Sequence, residues 1–205
     1  MKPAKARQGV VFLILSLGSL HFLAGCSSVP QHDVSIDAIS DGPQKFSGVS
    51  YRLIARDPLL AREVSAYNLA LSSVNAALGG KGMYAVSGTD HPDVLIELDF
   101  GETPTLVLPG TPRTHDLYLQ LSARSYLADA PARNYRGEEI WNVRVTTKEP
   151  DPGVEHVLPL LAAVASDYAG TEHQSDVPVV IGENAPSVVS VTSAVSAVRS
   201  VKTGP

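Results

Sequence analysis

The sequence predicts an α+β domain, a mainly antiparallel sheet with two amphipathic helices packed on one face. Three observations predict it. Short stretches alternate apolar and polar residues with the period of two that a half-buried strand requires. Two longer stretches instead space their apolar residues three and four apart, the period of a helix with one buried stripe. Strand also follows strand with only turn residues between them, most plainly at Ser40-Asp41-Gly42-Pro43.

Taken in order, Val34 to Ile39 alternates and reads as the first strand. After the turn, Tyr51, Leu53 and Ala55 share one face of a second strand, with Arg52 and Ile54 on the other. The first helix is predicted over Pro58–Leu78. Asp57 suits its N-cap, Pro58 its first position, and Gly79-Gly80 its end. Its expected stripe is Leu60, Val64, Tyr67, Leu71, Val74 and Leu78, with Leu71 deeply buried at its middle. A short strand from Met83 to Ser87 precedes a turn through Asp90-His91-Pro92. In the next strand Val94, Ile96, Leu98 and Phe100 face the core, while Leu95, Glu97 and Asp99 face solvent.

Gly101 to Arg113 is rich in Pro and Gly and reads as a long loop. Two strands follow, one around Leu117, Leu119, Leu121 and Ala123, the other around Trp141, Val143 and Val145. Gln120, Arg124, Asn142 and Arg144 alternate with these residues and mark the open side of the sheet. The polar segment Asp129 to Gly137 connects the two strands as a hairpin. The only tryptophan, Trp141, shares a face with Val143 and Val145 and is expected to point at the helices. A second helix starts near Val157, so that Pro159 falls in its first turn, and carries Leu160, Leu161, Val164 and Tyr168 inward. Val177 to Ile181 reads as an edge strand because of Pro178. The segment 183–205, a low-complexity run of Val, Ser and Ala, fits neither period and is expected to be a weakly ordered tail after a single domain over 34–182.

The start of the chain carries a different kind of information. Lys2, Lys5 and Arg7 precede an apolar run of 13 residues from Val10 to Phe22, and small residues lead up to Cys26, the only cysteine. A basic start, a short apolar segment and small residues before a cut describe a secretory signal peptide, and the run is too short for a spanning helix. The motif Leu23-Ala24-Gly25-Cys26 resembles the lipobox of bacterial lipoproteins. That resemblance implies a signal peptide over 1–25, diacylglycerol on the Cys26 thiol, acylation of the new amino terminus, and a lipidated tether over 26–33. Three acyl chains at about 0.8 kcal/mol per buried methylene anchor a protein firmly. Ser27, standing where an aspartate is absent, implies the outer membrane, with the domain on the periplasmic side, by the same resemblance.

Three of the sixteen Lys and Arg precede Cys26 and none of the twenty-one acids does, so the remaining chain has thirteen basic residues and a net charge of −8. This balance argues against nucleic acid as a partner and against a polybasic hold on anionic lipid. With its one thiol acylated the domain forms no internal disulfide and relies on its core.

A second resemblance spans about residues 48 to 170. It is carried by Leu78-Gly79-Gly80-Lys81-Gly82-Met83, Pro92-Asp93-Val94-Leu95-Ile96, Tyr135-Arg136-Gly137-Glu138-Glu139-Ile140-Trp141, and Leu158-Pro159-Leu160-Leu161 leading to Tyr168-Ala169-Gly170. The pattern is similar to bacterial envelope lipoproteins grouped as a domain of unknown function. It implies an envelope lipoprotein of α+β fold and carries over no catalytic residue.

Chemistry-bearing clusters are sparse. HExxH and GxSxG are absent, and the six histidines are scattered. Asp90-His91-Pro92-Asp93 places three metal-ligand types in four residues, but Asp and Pro before a strand are first of all turn formers. Glu97 and Asp99 project from one side of a strand about 7 Å apart, a spacing that acid–base chemistry uses and that the wet face of a sheet shows more often. No catalytic, metal-binding or cofactor-binding residue is assigned, and Cys26 is the one site residue. The expected role is therefore non-enzymatic: a lipid-anchored envelope protein that contacts another envelope protein. The alternative is a small-molecule or lipid-binding accessory lipoprotein of a transport system, using a cleft between helices and sheet. A hydrolase acting on envelope material is the third class.

Overall fold

The computed structural model describes residues 29–103, 114–128, 136–150, 153–174 and 178–202. Cys26 and the predicted signal peptide, residues 104–113 of the predicted long loop, and 129–135 of the predicted hairpin lie outside them. The strands are β1 (Gln31–Ser40), β2 (Ser50–Ala55), β3 (Tyr84–Ala85), β4 (Val94–Thr103), β5 (His115–Tyr126), β6 (Arg136–Glu149), β7 (His173–Gln174) and β8 (Val179–Gly182). The helices are α1 (Val64–Gly80), α2 (Leu158–Tyr168) and α3 (Pro186–Lys202), with single 3-10 turns at Leu60–Arg62 and Val154–His156. The α+β class is as the sequence predicts.

One sheet runs in the order β3-β2-β4-β5-β6-β1-β7, with β8 also paired to β1. The pairs β4–β5, β5–β6, β6–β1, β1–β7 and β1–β8 are antiparallel. β2, however, is parallel to both β3 and β4, so the sheet is mixed. The cause is α1. A helix between two strands returns the chain to the end where the first strand began, and the next strand then runs the same way.

Alternation fixes the faces. Ile96, Leu98, Leu117, Leu119, Leu121, Val143 and Val145 project to one side and are fully buried. α2 covers them and is buried on all sides from Leu160 to Ser166. Pro159 sits in its first turn, where the missing N–H has no intrahelical partner to lose. Trp141 points inward as expected, at 3% exposure, with Phe46 edge-on to it at 6.1 Å.

Three expectations need correction. α1 begins after Glu63, and Asp57 instead shapes the turn that leads into the 3-10 segment: its carboxylate accepts the Leu59 amide at 2.8 Å. The buried face of α1 is also rotated. Ala66, Leu69, Ala70, Ser73, Val74, Ala77 and Leu78 are buried, while Leu71 is half-buried and Val64 is exposed. α1 packs against both α2 and α3, and small side chains let helix axes approach closely. Finally, the segment read as a weakly ordered tail is α3, lying on α1 and α2 through Val188, Val191 and Val195. Its Val and Ser content gives weak helix propensity, and burial of an i, i+3, i+7 stripe overrides that. The folded unit therefore starts at Gln31 and runs through α3. No helix among the described residues is long and apolar enough to cross a membrane.

Candidate functional site: the polar face of the sheet

The face of the sheet away from the helices collects the side chains that alternate with the core. β4, β5 and β6 are long and in register, so Asp99, Gln120 and Arg144 lie in one row, and Glu97, Ser122 and Asn142 in the next. Tyr118 stands opposite Gly101, and its ring lies 3.7 Å from where a Cβ on that glycine would be. The Arg144 guanidinium covers the ring at 3.8 Å, a cation–π contact. Arg144 also donates to Gln120 Oε1 at 3.2 Å and to Thr103 Oγ1 at 3.1 Å.

The bonds continue across the face. Gln120 donates to Asn142 Oδ1 at 3.1 Å, and Asn142 donates to Glu139 Oε2 at 3.4 Å. The same Glu139 oxygen accepts from Ser122 Oγ at 2.5 Å and from Arg124 Nη2 at 3.1 Å. Arg124 Nε then reaches Glu97 Oε2 at 3.7 Å. Arg124 thus stands between two carboxylates. Glu139 reaches it because the β5–β6 register shifts at Arg124, with Ile140 as the extra residue on β6, and sets these two residues opposite each other.

The predicted pair, Glu97 and Asp99, does share this side, but their surroundings differ. Asp99 is half-buried and accepts the Tyr118 hydroxyl at 3.4 Å. Burial raises the pKa of that phenol, and the Asp99 charge raises it further. Glu97 was expected in solvent and is 5% exposed; Leu95 beside it is buried too. β4 is an interior strand, with Arg52 and Arg124 opposite Leu95 on either side and Ile54 and Ser122 opposite Glu97. Long side chains from both neighbours cover it.

The predicted turn cluster comes apart. Asp93 binds Ser50, His91 bonds the Tyr126 hydroxyl at 2.9 Å, and the Asp90 carbonyl accepts from Arg52. Among the described residues no three His, Cys, Asp or Glu side chains are grouped to hold a metal. Alternation alone placed Gln120, Arg124, Asn142 and Arg144 on this face. Glu139 was missed because the irregularity that brings it in has no period to read, and the Tyr118–Arg144 stack because it joins residues on two strands.

A second polar cluster holds the start of β1. His32 Nδ1 is 2.7 Å from Glu149 Oε1, and its Nε2 is 3.4 Å from Glu183 Oε1. A cleft of about 380 Å³ beside it is lined by His32, His156, Pro159, Leu160, Glu183 and Val188, among others.

No family model matches the chain, and no curated protein matches it. Among solved structures it is similar to the PelC dodecamer from Paraburkholderia phytofirmans, at 12% identity and a TM-score of 0.40, over 68% of this chain and 99% of that one. It is also similar to a PDZ domain protein from Parabacteroides distasonis, at 11% identity and a TM-score of 0.44, over 74% of this chain and 39% of that one. Likenesses this distant carry no argument about what the chain does.

Proposed function

We propose that this chain is a lipid-anchored envelope protein, held by Cys26 at the outer membrane with its domain in the periplasm, that works by contact with another envelope protein and not by catalysis. The contact surface is the polar face of β4, β5 and β6. The observation that supports this is the Tyr118–Arg144 stack, which stands opposite Gly101 and is held by Arg144 bonds to Gln120 and Thr103. Tyr and Arg are the side chains most useful at protein contacts, and holding them in place beforehand lowers the entropy lost on binding. Each carboxylate of the pair weighed for acid–base chemistry also has a neighbour of its own, Arg124 for Glu97 and Tyr118 for Asp99. The carrier alternative needs open space between helices and sheet. There Leu98, Leu119, Leu121, Val143, Leu158 and Leu161 meet with no exposed surface. Affinity capture from solubilised envelope tests the proposal. A specific partner recovered with the native protein and lost with Y118A/R144A supports it; identical recovery with both proteins removes this face from consideration.

A further inference from the structure

The way the chain enters the fold restricts how the domain can stand on a membrane. Between Cys26 and Gln31 there are five residue steps, which span at most about 18 Å when fully extended. Gln31 is the first residue of β1 and pairs with Gly182, the last of β8; Val34 pairs with Thr147 near the end of β6, and His115 with Glu149. One end of the sheet therefore carries the start of β1 and β5 and the finish of β6 and β8. The 3-10 turn Val154–His156 and the first turn of α2 follow directly from β6. The Glu183 amide donates to the Pro30 carbonyl at 3.1 Å, so α3 also sets out from this end.

α3 stays there. Its first half borders a cleft with His156, Pro159 and Leu160 of the α2 start, and its second half borders another with Ser65, Asn68 and Leu69 of the α1 start. It lies across the beginnings of both helices as a bar at the end where the tether leaves.

Exposed apolar side chains are distributed unevenly between the two ends. Six of the exposed large apolar side chains among the described residues, Val29, Leu59, Val64, Val180, Val189 and Val198, belong to the tether, β8, α3, the connection into α1 or the first turn of α1. Three others are exposed away from it: Ile39 near the finish of β1, and Leu127 and Tyr84 beside the far ends of β5 and β3. The tether end also carries Asp33, Glu102, Asp116, Glu149, Glu155 and Glu183 against Lys148 and Arg199, while Arg56 and Arg62 balance Asp57 and Glu63 in the connection into α1.

We propose that this end of the domain, barred by α3, rests on the lipid surface itself, with zwitterionic headgroups of no net charge as its partner. The inference depends on the lipid-anchor reading of Cys26. Apolar side chains on a surface helix settle into the boundary between headgroups and acyl chains, and a net acidic fringe disfavours anionic lipid. α3 is then a foot, and the opposite end, with Tyr84 and Leu127, points away from the bilayer.

The test uses the full acylated protein in phosphatidylcholine vesicles. Acylation blocks Cys26, so a cysteine introduced by V198C, L59C or L127C is the only free thiol and takes a fluorophore uniquely. All three positions are exposed, so the variants should fold. Nitroxide carried on the lipid should quench the label at Val198 and Leu59 and leave the label at Leu127 unquenched. Acylated protein in which all three labels respond alike overturns the proposed orientation while leaving the anchor intact. Failure of the native chain to take up a fatty-acid analogue removes the anchor, and the inference falls with it.

Discussion

Ser50 and Asp93 fasten the starts of β2 and β4 by a reciprocal clasp. The Asp93 carboxylate accepts from the Ser50 amide at 2.7 Å and from its hydroxyl at 2.6 Å, and the same hydroxyl accepts from the Asp93 amide at 2.9 Å. These bonds hold the Asp93 pKa below the usual carboxylate range, the Ser50 hydroxyl contributing most. A lowered folded pKa stabilises the fold above the ordinary carboxylate value, near pH 4, and that contribution is lost as pH falls through the folded value. Ser50→Ala should cost about 1–2 kcal/mol at pH 7, the low end for a bond to a charged group because the carboxylate is solvated. The gap to the native protein should narrow below about pH 4. Urea unfolding at pH 7 and pH 3 measures it; an unchanged gap would show that the clasp stabilises without its charge.

Tyr51 gives the opposite arm of the pH profile. Its side chain is buried, its hydroxyl donates to Asn75 Oδ1 at 2.7 Å, and burial pushes its pKa from 10.0 up to about 12. The folded state keeps the phenol neutral while the unfolded chain ionises, so stability should fall as pH rises from about 10 to 12. Tyr51→Phe should cost about 1 kcal/mol at pH 7 for the lost bond and flatten the alkaline arm. Thermal melts from pH 8 to 11.5 would show it; parallel curves for the two proteins would contradict the assignment.

The rotated face of α1 sets a ranking of substitutions. Leu78→Ala should cost about 2–5 kcal/mol, as for a fully buried leucine. Leu71→Ala, at a half-buried position, should cost only about 1–2 kcal/mol. If Leu71 proved the more sensitive of the two, the large-residue stripe would be the true core face.

Trp141 should emit at short wavelength and resist aqueous quenchers, as a buried indole does. Trp141→Ala should cost about 3–5 kcal/mol. Red-shifted, easily quenched emission in the isolated protein would place the indole at the surface.

Cys26→Ser should abolish incorporation of a fatty-acid analogue and leave an uncleaved precursor or a soluble periplasmic form. Labelling of the variant at the native level would end the anchor reading.

What the sequence revealed and what it hid have separate physical causes. Period-two alternation is local, and it placed every long strand and the inward face of Trp141. Which stripe of α1 is buried depends on what lies against it. The large residues from Leu60 to Leu78 made one stripe conspicuous, yet α2 and α3 pack on α1 and its buried face takes in Ala66, Ala70, Ser73 and Ala77 beside that stripe. α3 escaped because its three buried valines stand among equally apolar exposed ones, Val189 and Val198. The parallel pairing of β2 was implicit in the helix that follows it. On the polar face, membership was legible, but the partnership of Arg124 with Glu139 required the register.

The position of β1 bears on how the chain comes to be folded. This first strand lies inside the sheet, flanked on one side by β6 and on the other by β7 and β8, and every partner is more than 100 residues away in sequence. Closing loops of that length is entropically slow, and pairings so remote reward the chain only at the end. A chain emerging with its amino terminus first must wait for its last quarter before β1 finds its full set of neighbours. Until then β1 has β6 on one side and an open edge on the other, and covering that edge against aggregation falls to the C-terminal strands β7 and β8.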